Sequence, residues 1–146
     1  MFRDLASKLA EVQVIGPAVL SSNSTQSVID LQGFSSAVFL ISVGAGGITF
    51  SGTNKIEFVL THGDASDGSD QANVTLADVQ GPASVSNGIV RSLTTAKAAA
   101  DTAPTEIGYI GQKRYVKLQD TFGGTHGTGT AISAVLVKSN AEIKPV

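Results

Sequence analysis

The sequence predicts an all-β fold, a β-sandwich or jelly-roll-like barrel of about seven to nine short strands. Three observations carry that prediction. The chain of 146 residues holds sixteen glycines among many Ser and Thr, a composition unlike that of a helical bundle. Turn-forming clusters recur about every eight to twelve residues. The apolar stretches between them are short and alternating, and no long helical segment separates them, which argues against an α/β fold. A hydrophobic fraction of 42% with 15% charged residues is too apolar for a disordered chain. The length suits one domain with one core.

The first element expected is a short N-terminal helix or arm over residues 1–16. Phe2, Leu5, Leu9 and Val12 recur at spacings of three and four, and Asp4 can pair with Lys8 one turn on. Gly16-Pro17 ends the pattern. A helix this short needs to dock on its own domain or on a neighbour. The β-domain is expected over 17–138, with an extended polar tail over 139–146.

Within that domain, Ser27–Leu31 reads as a short strand. Ala37–Val43 is apolar on both faces and therefore central in its sheet. Ile48–Phe50 reads as a short strand after the Gly44–Gly47 break. In Lys55–Thr61 the alternation places Ile56, Phe58 and Leu60 inward and Glu57 outward. Weaker strands are expected over Val74–Val79 and Gly88–Leu93, and one helical turn over Ala96–Ala100. Glu106–Ile110 and Arg114–Gln119 read as two strands of a tight hairpin. Ala131–Val137 is the last buried strand.

Composition also excludes functions. A net charge of −2, with Lys113-Arg114 the only adjacent basic pair, lacks the clustered cations of a nucleic-acid binder. Without cysteine there is no disulfide or thiolate chemistry. The longest apolar run, Ala37–Ile41, is too short to cross a bilayer as a helix, so no membrane partner is expected. The N-terminus shows no signal-peptide core. The chain reads as made in the cytosol, staying soluble or assembling there.

Catalytic constellations are sparse. His62 and His126 both lie in Gly-rich stretches, and no Gly-x-Ser-x-Gly elbow is present, so a hydrolase has little to build on. Asp64, Asp67 and Asp70, around Gly68, are the candidate metal ligands, offering oxygens to a hard cation such as calcium. They lack the full EF-hand spacing, and a solvated turn selects the same residue types. Gly44–Gly47 lacks the Lys-Ser/Thr ending of a phosphate loop and reads as a turn. Gly123–Thr130, with His126 at its tip, reads as a mobile connection and a candidate interface. A sugar site would need aromatic platforms, and the chain has no tryptophan. No catalytic residue, cofactor or small-molecule substrate is therefore expected.

Several segments, taken in order, resemble the small head-decoration (cement) proteins and allied virion proteins of tailed bacteriophages. Phe2–Leu5 with Ile15–Val19 resembles the N-terminal arm of that family. Ile29–Phe34 followed by Ser36–Phe39 and on through Val43 is similar to its "DLxGY-SA" strand pair. Lys55–Ser69 is similar to its strand and acidic turn. Ile107-Gly-Tyr-Ile-Gly-Gln-Lys-Arg-Tyr-Val116 resembles its "GYxGxKRYV" hairpin and is the most specific stretch. The tail from Ser139 lacks the His-Pro ending of many relatives, and Gly81–Pro104 is longer than usual.

The resemblance implies a non-enzymatic virion protein on the capsid surface, binding the major capsid protein and copies of itself, as a trimer, between capsomers. On that reading the interface candidates are Phe2, Leu5, Leu9, Val12, Lys113, Arg114 and His126. The alternatives are a tail, connector or baseplate component, and a carbohydrate- or calcium-binding β module.

Overall fold

The computed structural model describes residues 4–141, the side chain of Ala141 excepted; Phe2 and the end of the tail lie outside the described residues. The fold is a β-sandwich of two antiparallel sheets. Its strands are β1 (Ala10–Leu20), β2 (Ile29–Asp30), β3 (Phe34–Val43), β4 (Lys55–Gly63), β5 (Ala72–Asn73), β6 (Val79–Gln80), β7 (Ile89–Leu93), β8 (Thr105–Tyr109), β9 (Tyr115–Gly123) and β10 (Thr130–Ala141). The first sheet runs β1-β10-β3-β8-β6. The second runs β2-β9-β4-β5, with β7 also on β4.

Alternation in the long strands builds the core. β3 sends Ala37, Phe39, Ile41 and Val43 inward, and β10 sends Ile132, Ala134 and Leu136. Facing them are Ile56, Phe58 and Leu60 of β4 and Val116 and Leu118 of β9, all fully buried. The inward residues of β4 are those its alternation indicates. β3 is central in its sheet, between β10 and β8, as its apolar sequence suggests.

The N-terminal helix is corrected. Among the described residues of that segment only Ala6–Lys8 is helical, as a single 3-10 turn, and residues 10–20 form an edge strand. Helical spacing of four apolar residues competes here with the β-branched run Val12, Val14 and Ile15, which completes a sheet on β10. The boundary at residue 16 thus falls inside a strand. Gly16-Pro17 interrupts the pairing rather than ending a helix. The register slips between Gln13 and Ile15 and again between Ile15 and Ala18. Each slip puts one extra residue on β1, so Val14 and Ile15 both turn inward. The Gln13 amide staples the first bulge, donating to the carbonyls of Ile15 (2.8 Å) and Ala134 (3.1 Å). An edge strand tolerates Pro17, which cannot donate to a ladder.

The hairpin at residues 106–119 is also corrected. β8 pairs with β3 and β6 in the first sheet, whereas β9 pairs with β2 and β4 in the second. Residues 110–114 therefore cross between sheets. Ile110 N–H donates to Asp78 O (2.8 Å), which turns the chain away from β3.

Three smaller expectations change. Ile48–Phe50 is irregular, with Phe50 plugged into the core. Val74–Val79 holds a 3-10 turn, Leu76–Asp78, and the start of β6 rather than one strand. Ala96–Ala100 is not helical. Asp101 instead ties that loop across the sandwich: it accepts Val43 N–H (2.8 Å) and pairs with Arg91 (2.9 Å) and Lys97 (2.8 Å). Arg91 also donates to Ile41 O, joining β7 to β3.

Candidate interaction surface

Two features of the exterior differ from an ordinary polar surface: the outward face of the first sheet and a cleft at one end of it. Outward positions of an antiparallel sheet are normally polar. Here Val38 and Leu40 of β3 stand outward beside Val137 and Val135 of β10, their cross-strand partners. All four are half-buried. Glu11 and Gln13 of β1 flank Val137 and Val135, and Glu106 of β8 flanks Leu40, so the apolar centre has a polar rim. Such an arrangement matches the anatomy of protein interfaces.

The face runs through Gly108, opposite Val38, into a cleft of about 650 Å³. Its walls are the β2–β3 turn, the end of β8 and the crossover 110–114. Hydrogen bonds tie the crossover back to β8. The Tyr109 hydroxyl accepts Lys113 N–H (3.1 Å) and lies 2.9 Å from His62 Nδ1 and 3.4 Å from Lys113 O. The His62 ring meets Tyr109 edge-on. Burial raises the Tyr109 phenol above its ordinary value. Ile110, at the tip, is 48% exposed.

The two cations of the crossover are paired within the chain. Arg114 forks onto Asp30 (2.9 and 2.8 Å), reaches Gln32 and stacks over Tyr115. Lys113 pairs with Asp64 at 2.5 Å. The Arg114 hydrogen bonds hold Asp30 at about 2, below its ordinary 3.8, and Lys113 likewise lowers Asp64. A depressed carboxylate stabilises the fold fully above its unfolded value and less as pH falls through its folded one. Asp30 therefore contributes fully above pH 3.8 and progressively less toward pH 2. Urea midpoints followed from pH 5 to 2 should fall over that window, and Asp30→Asn should flatten the fall. The pair is nearly half exposed, so its effect is small.

The acidic loop does not gather its carboxylates. Asp64 goes to Lys113, Asp67 accepts Ser69 N–H, and Asp70 accepts the N–H groups of Asp64 and Ala65. Among the described residues no three His, Cys, Asp or Glu side chains come together as a metal site. His62 and His126 belong to different clusters.

His126 is corrected as an interface residue: it is 3% exposed. Its Nε2 donates to Gly123 O (2.8 Å), and its ring packs edge-on to Phe122 and against Phe50. The glycines that suggested a mobile tip allow the loop to fold inward, where an aromatic ring closes the end of the sandwich. Leu5 is 63% exposed, Leu9 is half-buried, and Val12 packs against the core. The stripe is thus split between surface and interior. The outward apolar positions of β3 and β10 were readable from their doubly apolar sequences once these were placed in one antiparallel sheet.

Among the described residues no helix is long and apolar enough to cross a membrane. No protein-family model and no curated protein matches the chain. Among solved structures, the SPBc2 prophage-derived protein YomS is similar, with 13% identity over 90% of this chain and 93% of that one and a TM-score of 0.43.

Proposed function

We propose that this chain is a non-enzymatic structural protein of a tailed-phage virion, one that decorates and stabilises the capsid by binding the major capsid protein between capsomers. The observation that carries the reading is the apolar outward face of β3 and β10, continuous with the cleft under the crossover. The residues of that crossover belong to the stretch most similar to decoration proteins, 107–116. Its cations are neutralised internally, which favours packing against a protein over gripping an anionic ligand. Copies of the chain, assembled as trimers, would hold the shell by many modest contacts repeated on a symmetric lattice.

Cosedimentation of the purified protein with expanded and unexpanded phage heads tests this. Saturable, stoichiometric binding to expanded heads is expected. Failure to bind heads, with self-assembly into rings or tubes, would replace capsid decoration by a tail or connector role.

A further inference from the structure

The turn Ser86-Asn87-Gly88-Ile89 holds the only Asn-Gly pair in the sequence. Asn87 (φ 51°) and Gly88 (φ 76°) are both left-handed, and Ile89 N–H donates to Ser86 O (3.0 Å), as in a type I′ turn. Asn87 is exposed, and among the described residues nothing holds its amide. Three of the other four asparagines are held. Asn23 Oδ1 accepts Phe122 N–H, Asn54 Oδ1 accepts Thr125 N–H, and Asn140 Nδ2 donates to Ser36 Oγ. Asn73 is followed by buried, β-branched Val74.

We propose that Asn87 is a site of spontaneous, backbone-assisted deamidation. The Gly88 nitrogen, giving its proton to solvent base, attacks Asn87 Cγ. A new C–N bond closes a five-membered succinimide, and the bond from Cγ to the side-chain nitrogen breaks, releasing ammonia. Water then adds to one ring carbonyl and opens the ring. Addition at one carbon leaves aspartate; addition at the other leaves isoaspartate, with the main chain routed through the side-chain carbon. Water is the only co-reactant, and nothing is oxidised or reduced. Residue 88 has no Cβ to obstruct the attack.

The folded turn restrains this chemistry. Gly88 O accepts Leu60 N–H (2.8 Å), and a Cβ on Gly88 would lie 2.8 Å from Leu60 O, so residue 88 is held against β4 and cannot swing its nitrogen onto Asn87 Cγ until the turn opens. Local opening of this one turn sets the rate. Both products add a negative charge, and isoaspartate lengthens a turn whose register on β4 is fixed at Val59–Ile89. Ageing would thereby loosen β7 at the rim of the second sheet.

The full chain, incubated at mildly alkaline pH and mapped by mass spectrometry that separates aspartate from isoaspartate, supplies the test. Asn87 should convert roughly tenfold faster than any other asparagine, because only it precedes glycine. Asn87→Gln should remove that fast phase while leaving the circular dichroism unchanged. Equal conversion at all five asparagines, an intact Asn87 beside converted neighbours, or a fast phase that survives Asn87→Gln would overturn the proposal.

Discussion

Asp120→Ala is expected to lower unfolding stability by about 3 to 5 kcal/mol, the range seen when a buried polar network loses its acceptor and leaves a cavity. Asp120 points inward from β9, opposite Phe58, and has no exposed surface. Its carboxyl accepts the N–H (2.9 Å) and hydroxyl (2.5 Å) of Ser24, with the Gln119 amide nearby. Ser24 lies in the connection from β1 to β2, which runs beside β9 beyond the short β2 ladder. Gln119 also donates to Ser24 O, and Phe122 N–H donates to Asn23 Oδ1. Removing the carboxyl strands two donors of that connection and leaves it tied to β9 only through Gln119 and Asn23. Asp120→Asn keeps the volume and one acceptor oxygen, so it should cost less. Urea denaturation of the two variants checks the order, and equal midpoints for Asp120→Ala and the parent protein would show that the connection does not depend on this contact.

Leu40→Lys is expected to weaken attachment to phage heads by about ten- to a hundredfold, the cost of truncating a central interface residue and desolvating a charge in its place. Folding should suffer little, since Leu40 faces away from the core while Phe39 and Ile41 remain buried. The long lysine stem can lie along Val135 and keep its head in water in the free protein. Binding curves at equal folded concentration separate the two effects. Retained head binding by a folded Leu40→Lys variant would remove the outward sheet face from the interface.

The core strands were legible because each reports its own period: in β4 the alternation of Ile56, Phe58 and Leu60 with Glu57 fixes the inward face. Strand pairing was not legible in the same way. Tyr109 and Tyr115 flank a short Gly-containing segment that suits a hairpin, yet Asp78, from a distant element, takes the Ile110 N–H and sends the chain to the other sheet. A local motif cannot encode that choice. β1 failed for another reason: its two bulges shift the inward face twice, so Val12, Val14 and Ile15 never show a clean period of two. Glycine leaves the 123–130 segment many paths, and only tertiary packing of His126 on Phe50 and Phe122 selects the inward one. The Lys113-Arg114 pair was visible in the sequence, but its ion-pair partners Asp64 and Asp30 lie far from it along the chain.

Hydrogen exchange of the head-bound protein against the free protein tests the proposed assembly most directly. The proposed mode of binding predicts added protection along β3, β10, the end of β8 and the 110–114 crossover, the elements that form the outward face and its cleft, with little change in β4 and β7 of the opposite sheet. Protection confined to β4 and β7, or none at stoichiometric occupancy, would contradict it.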